Sequence, residues 1–321
     1  MKHISILVPK GAILGSVEGP RQLFTQVNNF FAERGEKPVF KVQLVGIEKE
    51  TPLSGGLFTV HADHLINDLI KTDLIIIPAI DGDLRNALEV NMEFINWIKE
   101  QRKMGAEIAS LCLGAFLLAA TGLMNGRKCA THWMAANQFR NMFPDVDLVS
   151  EKIITDEGGI YSSGGAYSYL NLILYLIEKY TGREMAILCS KVFAIEIERF
   201  SQSPFSIFQG QKEHGDEPIK NAQKYIENNF REKITVDHLA NMTILGRRSF
   251  ERRFKKATND TVTKYIQRVK IEAAKMSLES TKENVYEVMY NAGYTDPKAF
   301  RSTFKRITGL SPVQYRNKYN P

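Results

Sequence analysis

The chain has 321 residues, of which 44% are apolar and 24% charged, and this is typical of a folded protein long enough for two domains. The apolar stretches at the N-terminus and at residues 114–124 are too short for a secretory signal or a membrane-spanning helix, so we expect no membrane association. Three cysteines without metal-ligand spacing suit a reducing cytoplasm. We therefore expect a cytoplasmic protein that holds no metal and no cofactor.

The net charge of +6 is divided unevenly along the chain. Residues 217–321 carry 21 Lys and Arg against 11 Asp and Glu, a net charge of +10, whereas residues 1–216 have a net charge of −4. A domain this basic is typical of a protein that binds a polyanion. Two helical hairpins with solvated charges are the alternative, and the uneven charge argues against it.

Residues 1–200 alternate apolar strands with amphipathic helices. Residues 73–78 form a continuous apolar run, which is typical of a parallel strand covered on both faces. The pattern predicts an α/β sandwich around a mostly parallel sheet. The predicted strands are residues 4–8, 39–45, 73–78, 107–111, 128–133, 148–155 and 159–163, and the predicted helices are residues 20–34, 63–70, 87–103, 167–180 and 184–200.

Residues 108–120 place Cys112 between an apolar strand and a helix that opens with Gly114 and Ala115. This is the layout of a nucleophile elbow, in which a tight turn lifts the side chain to the carboxyl end of a strand. A helix N-terminus at that point favours the thiolate. His132 follows about twenty residues later and is a candidate base if it lies within hydrogen-bond reach.

Together with Gly19-Pro20, this elbow resembles the ThiJ/PfpI branch of the class I glutamine amidotransferase-like superfamily, in particular the subgroup fused to an AraC-type domain, as in GlxA-like regulators. The resemblance covers about residues 1–205 and implies a flavodoxin-like fold with a pocket at Cys112. Enzymes of this branch place an acidic residue beside the cysteine, from the loop after the first strand. Ungapped alignment puts Ser16 there, with Glu18 two residues later, and a serine cannot supply the charge.

We therefore expect no enzyme activity and a candidate effector pocket at the elbow. Turnover, an oxidation or ligand-contact role, and an inert buried thiol remain open for the cysteine, and its neighbouring histidine is either pocket lining or a core residue. The expected pocket residues are Ser16, Glu18, Cys112, Leu113 and His132.

Residues 201–217 are polar, contain Pro and Gly, and have no sustained periodicity, which predicts a linker between a first domain at 1–200 and a second at 218–321. The second domain contains two copies of a short helix, a turn and a longer helix, at residues 235–256 and 292–316. Residues 263–280 are predicted to form the helix that connects them.

Each copy repeats a pair of phenylalanines four residues apart, Phe250 with Phe254 and Phe300 with Phe304, which predicts one buried helix face. The opposite face is rich in basic side chains, as suits a helix that enters a major groove. The sequence therefore predicts an all-α domain with two helix-turn-helix motifs. The candidate DNA-binding residues are Arg247, Arg248, Glu251, Arg252 and Lys255 in the first copy, and Lys298, Arg301, Ser302, Lys305 and Arg306 in the second.

Residues 220–318 resemble the DNA-binding domain of AraC-type transcription regulators, through Gly293-Tyr294, the paired phenylalanines and the run TGLSPVQYR at residues 308–316. Three positions depart from the family pattern: Gly246 replaces a capping Ser, Asn259 a Gly, and Ser302 an Arg. Asn tolerates a left-handed backbone, so that change is mild.

The resemblance implies a homodimeric, sequence-specific transcription regulator that binds double-stranded promoter DNA and an unknown small-molecule effector. Arg248 and Arg252 are the expected direct readers of bases, followed by Glu251, Lys298 and Arg301, whereas Lys255, Lys305 and Arg306 are expected to hold phosphates. Two alternatives remain at this point. One is a Cys112-dependent hydrolase or amidotransferase-like enzyme that carries a DNA-binding domain, and the other is a non-specific nucleic-acid binder.

Overall fold

The structure is a computed structural model that describes residues 1–68, 71–197 and 201–320. The chain forms two compact units, Met1–Gln202 and Ser203–Pro321. Nowhere in these ranges is a helix both long enough and apolar enough to span a membrane.

The first unit is built around a parallel sheet. Its strands, over the described residues, are β1 (Lys2–Leu7), β2 (Phe40–Gly46), β3 (Glu50–Leu53), β4 (Phe58–His61), β5 (His64–Leu65), β6 (Leu74–Ile77), β7 (Glu107–Leu111), β8 (Lys128–Cys129), β9 (Asp147–Leu148), β10 (Ile154–Asp156) and β11 (Ile160–Ser163). Seven of them form one sheet in the order β10-β11-β7-β6-β1-β2-β5. All neighbours in this sheet are parallel except β10 and β11.

Helices cover both faces of the sheet, which explains why β6 is apolar and buried at every position. One face packs against α1, α6 and α7, and the other against α2, α3, α4 and α5. The predicted flavodoxin-like α/β sandwich is thus confirmed. The helix bounds are α1 (Leu14–Glu33), α2 (Leu84–Val90), α3 (Met92–Lys103), α4 (Ala115–Ala120), α5 (Ala136–Met142), α6 (Tyr169–Thr181) and α7 (Arg183–Val192).

Several predicted elements differ from those observed. Helix α1 starts at Leu14, so Pro20 lies inside the helix and does not open it. The helix expected at 63–70 is wrong for residues 63–68, because the amides of Asp63 and Ile66 donate to the backbone of β2 and extend the sheet. The helix expected at 87–103 is split at Asn91, whose buried side chain bonds to the carbonyls of Ala87 and Lys10. The strands expected at 128–133 and 148–155 shrink to short segments. The helix expected at 184–200 ends at Val192, because Ala194 has a left-handed φ of 52°. The predicted helix ends at 69–70 and 198–200 lie outside the described residues.

The second unit consists of helices in the residues described. A first core surrounds Phe250 and Phe254, and a second surrounds Phe300 and Phe304, with α11 contributing to both. The predicted pair of helix-turn-helix modules on one connecting helix is confirmed. The helices are α8 (Glu217–Asn229), α9 (Val236–Met242), α10 (Arg247–Thr258), α11 (Val262–Ser280), α12 (Val285–Asn291), α13 (Pro297–Thr308) and α14 (Pro312–Tyr319).

Residues 203–216, which we call the strap, pack against the helices of the second unit. The buried ammonium of Lys275 donates to the carbonyl of Ser206 at 2.6 Å and to Glu272 at 2.8 Å, and Glu272 also accepts the amide of Phe208 at 3.0 Å. The ring of Phe208 lies 5.1 Å from that of Tyr265. Although its composition predicts a linker, the strap therefore has ordered partners on α11.

Candidate functional site

The first recognition helix, α10, presents an open basic face. Its buried stripe is Phe250 and Phe254, whereas Arg248, Arg252 and Lys255 are exposed. None of these three side chains makes an ion pair with any residue the structure describes. Their charges are therefore free to meet a polyanion.

Two other arginines of α10 are engaged within the protein. Arg247 lies 2.9 Å from a carboxylate oxygen of Asp237 and 3.8 Å from one of Glu251. Arg253, which sequence reasoning passed over, makes a two-pronged ion pair with Asp216 at 2.8 and 2.9 Å. This contact lowers the pKa of Asp216 and ties the recognition helix to the end of the strap. Arg252 and Arg253 are adjacent in the sequence, but of the two only Arg253 has a carboxylate partner among the described residues. Arg253 therefore has a structural role, whereas the charge of Arg252 is free to meet a polyanion.

The second recognition helix, α13, exposes Lys298, Ser302 and Lys305, none of which is paired with a charged group in the described ranges. Arg301 donates to the phenol oxygen of Tyr286 at 3.2 Å, and Arg306 donates to the side-chain oxygen of Gln267 at 2.8 Å. Both arginines thus keep their charge while neutral groups hold them.

The turns of the two modules differ in strain. Gly293 has a φ of 76°, and a Cβ there would come within 2.8 Å of the carbonyl oxygens of Phe230 and Arg231. The first module has Ile244 at the corresponding turn, with a φ of 54° and 93% of its surface exposed. A β-branched residue is strained in this region. Asn259 has a φ of 59°, as expected for a residue that replaces glycine.

Cys112 sits in a strained elbow at the carboxyl end of β7. It has a φ of 53°, which is unusual for a residue other than glycine, and it is 4% exposed. A Cβ on Gly114 would lie 2.6 Å from the carbonyl oxygen of Ile77 and closer still to that of Pro78, so this position requires glycine. Thr131 donates its hydroxyl to the carbonyl of Cys112 at 3.0 Å. The predicted elbow geometry is present.

The thiol of Cys112 is nevertheless not prepared for nucleophilic attack. Burial raises its pKa to about 12, and the hydrogen bond from the amide of Leu113 only partly offsets this effect. The loss of solvent around the buried sulfur therefore opposes the thiolate that a helix N-terminus is expected to favour. Leu113 itself is partly buried against the second core of the first unit.

The two residues closest in sequence to the family's acidic position are already engaged. The Ser16 hydroxyl donates to the carbonyl of Ile13 at 2.7 Å and accepts the amide of Ala79 at 2.9 Å, so it ties α1 to the end of β6. Glu18 makes a two-pronged ion pair with Arg21 at 2.6 and 2.7 Å and is partly exposed. Neither side chain offers the free carboxylate that the enzymes of this fold use.

His132 is also engaged, as a cap on the next turn. Its Nδ1 accepts the amide of Met134 at 3.2 Å, and its ring lies 5.5 Å from that of Trp133. Burial lowers the pKa of the imidazole, which keeps it neutral. Within the described ranges no hydrogen bond links His132 to the thiol of Cys112. Among the described residues, neither Glu18 nor His132 is hydrogen-bonded to the sulfur, and each has another partner.

A groove of about 460 Å³ lies on the second unit, between α8 and the C-terminal end of α9. Its walls include Tyr225, Met242 and Ile244, and none of the five expected effector-pocket residues lines it. The described residues contain no group of three or more His, Cys, Asp or Glu placed to hold a metal ion.

Two family models match this chain. Residues 29–179 match the DJ-1/PfpI family, and residues 239–318 match a helix-turn-helix domain of AraC type. The first match covers most of the sheet that carries the Cys112 elbow, and the second covers most of the two helix-turn-helix modules.

Similar proteins support the same division. The transcriptional regulator GbdR of Pseudomonas aeruginosa is 25% identical over 74% of this chain and 66% of its own length, so the chain spans slightly less than two thirds of it. The transcriptional regulator CdhR of the same organism is 25% identical over 97% of this chain and 90% of that protein. An AraC family transcriptional regulator from Pseudomonas putida, 14% identical, superposes with a TM-score of 0.51 over 60% of this chain and 100% of that one, which establishes the fold alone.

Proposed function

We propose that this chain, a member of the AraC family of transcription regulators with a DJ-1/PfpI-type first unit, is a sequence-specific DNA-binding regulator controlled by a small molecule. The observation that carries the proposal is the second unit, in which two helices present exposed basic faces from modules joined by the single helix α11. A net charge of +10 over residues 217–321 supplies the attraction to DNA.

The two recognition helices suit consecutive major grooves on one side of a duplex, roughly 34 Å apart. Arg248 and Arg252 are the proposed direct readers, because guanine O6 and N7 accept a two-pronged arginine contact. Glu251, Lys298 and Arg301 are proposed as further base contacts. Lys255, Lys305 and Arg306 are proposed to hold phosphates, with Ser302 beside them. Arg247 is the least suited of the ten, since Asp237 already neutralises it.

The first unit is proposed to bind an effector at the elbow and not to catalyse a reaction. The tight turn at Cys112 and the close approach at Gly114 support this proposal, because ligands of open α/β sheets bind at strand carboxyl ends. The raised pKa of the buried thiol, the hydrogen bonds that engage the Ser16 hydroxyl and the role of His132 as a cap on the next turn support binding in preference to turnover. A homodimeric, cytoplasmic regulator that binds promoter DNA is the form we propose.

Two variants test the effector-binding half of this proposal, and a comparison of duplexes tests the DNA-binding half. Cys112→Ala should leave effector-dependent regulation of a reporter largely intact, because no covalent step uses the thiol, whereas Cys112→Trp should abolish the response by filling the site. Loss of the response in Cys112→Ala, with DNA binding retained, would favour thiol chemistry instead. Binding of specific and random duplexes at equal salt tests the DNA-binding half, and equal affinities would contradict sequence readout.

A further inference from the structure

Arg301 of the second recognition helix is held by a residue from the other helix of its module. Its Nη2 donates to the phenol oxygen of Tyr286 at 3.2 Å, and its Cζ lies 5.7 Å from the centre of the tyrosine ring. Both side chains are exposed, and Tyr286 is 53% accessible. The contact is therefore made at the surface, where no core packing requires it.

The backbone of Tyr286 is fixed by the cap of α12. The side chain of Asn284 accepts the amides of Tyr286 and Glu287, each at 3.0 Å, and the Glu287 carboxylate accepts the amide of Asn284 at 2.7 Å. Such a reciprocal capping box orders the first turn of a helix. The tyrosine is thus placed before any ligand arrives.

The same helix position carries a charged arginine partner in the first module and a neutral one in the second. Asp237 and Tyr286 are each the second residue of the first helix in their module, and each holds an arginine of the following recognition helix. A carboxylate neutralises the arginine that it holds, whereas a phenol is a neutral acceptor. Arg301 therefore keeps its full positive charge, and within the described residues the remaining N–H groups of its guanidinium have no hydrogen-bond partner.

Few other side chains on α13 are able to make a two-pronged base contact. Ser302 stands where the family pattern often has Arg, and Arg306 is bonded to Gln267 at 2.8 Å. Lys298 and Lys305 are point charges without the planar fork of arginine. Any guanine readout by this helix depends most on Arg301.

We infer that Tyr286 is a positioning residue for DNA readout, which orients the guanidinium of Arg301 toward a base edge in the major groove. The second module then reads sequence through a pair of side chains from two helices. This inference rests on the proposed DNA-binding function and adds to it the residue that makes Arg301 specific. Pre-ordering a long side chain removes part of the entropy cost of binding.

The test compares full-length variants on a duplex selected from a random pool by the wild-type chain. Tyr286→Ala should raise the Kd for that duplex about two- to tenfold, which is the change expected when one hydrogen bond is lost. It should also lower base preference at a single position. Affinity for random DNA at the same salt should hardly change. Tyr286→Phe keeps the ring and loses the hydroxyl, so it should fall between wild type and Tyr286→Ala.

Tyr290→Ala is the matched control, because Tyr290 lies one turn further along α12, is 60% exposed, and its side chain has no hydrogen bond or ion pair in the part of the chain described. It should leave the base preference unchanged. In the Arg301→Ala background, Tyr286→Ala should have no further effect on affinity.

Three results would overturn the inference: an unchanged motif in Tyr286→Ala, the same loss in Tyr290→Ala, or additive losses with Arg301→Ala. In each of these three cases the wild-type chain still prefers a specific sequence, so the inference fails while the proposed function stands. A wild-type chain with no preferred sequence is a different result, because it overturns the proposed function together with the inference.

Discussion

Replacing Gly210 by alanine tests whether the strap is part of the DNA-binding unit. A Cβ at this position would lie 2.7 Å from Cζ of Tyr265 and closer still to its hydroxyl oxygen. That tyrosine cannot easily move, because it is fully buried, its hydroxyl donates to Glu227 at 2.7 Å, and its ring packs 5.4 Å from that of Phe254. Either the strap or the core of the first module must shift.

Overpacking of this kind costs about 1 to 3 kcal/mol. For a domain of roughly 120 residues, each kcal/mol lowers Tm by roughly 4 °C, so the second unit should melt about 4 to 12 °C lower. Gly215→Ala is the matched control, since it lies in the same strap and a Cβ there meets nothing within 4 Å. It should leave the transition within about 2 °C of wild type.

The full chain allows the two units to be followed separately. Both tryptophans, Trp97 and Trp133, belong to the first unit, so their fluorescence reports its unfolding alone. Circular dichroism at 222 nm also records the helical second unit. Gly210→Ala should lower the transition seen by circular dichroism and leave the fluorescence transition in place. Equal melting of Gly210→Ala and Gly215→Ala would refute the packing of the strap on Tyr265.

Three further predictions concern the turn, the elbow and the recognition helix. Ile244→Gly should raise the Tm of the second unit by roughly 2 to 4 °C, because relief of the left-handed strain, about 1 to 2 kcal/mol, exceeds the entropy cost of glycine, about 0.5 to 1 kcal/mol; a lower Tm would mean that the side chain contributes packing despite its 93% exposure. Cys112 should react with iodoacetamide at pH 8 at least about a hundredfold more slowly in the folded than in the unfolded chain, because its folded pKa is about 12. The folded state keeps this proton in a pH range where the unfolded state releases it, so the thiol should also make the free energy of unfolding fall as pH rises from about 9 toward 12. Fast labelling of folded Cys112, measured by mass spectrometry, would contradict both the slow reaction and this pH dependence. Arg252→Ala should weaken specific DNA binding by about 1 to 3 kcal/mol and relax preference at one base pair in a filter-binding or anisotropy assay, whereas Arg247→Ala should have a smaller effect on preference; equal losses on specific and random DNA would make Arg252 a phosphate contact.

The parts of the fold that follow from the sequence are those with a strong local period. The aromatic pairs of the two modules mark buried helix faces, and the apolar run of β6 marks a strand covered on both sides. The elbow at Cys112 could also be predicted, because Gly114 leaves room for the backbone of the neighbouring strand.

What could not be predicted depends on partners distant in the chain. The strap has a polar composition, but it is ordered by Lys275 and Tyr265, which lie more than fifty residues away. Similarly, Arg252 and Arg253 are adjacent arginines that look alike in the sequence. Only the ion pair with Asp216 shows that Arg253 has a structural role, whereas Arg252 remains a surface charge. Pro20 predicted a helix start because proline favours that position, yet upstream residues extend α1 by six residues.

The central claim is that the two recognition helices read a specific duplex. It is tested most directly by selecting duplexes from a random pool with the full-length chain at about 150 mM salt, with and without a metabolite extract. The account predicts an enriched motif of two elements about one helical turn apart, and relaxed preference at one base pair of one element in Arg252→Ala. Recovery of no motif under either condition, with random DNA still bound, would contradict it.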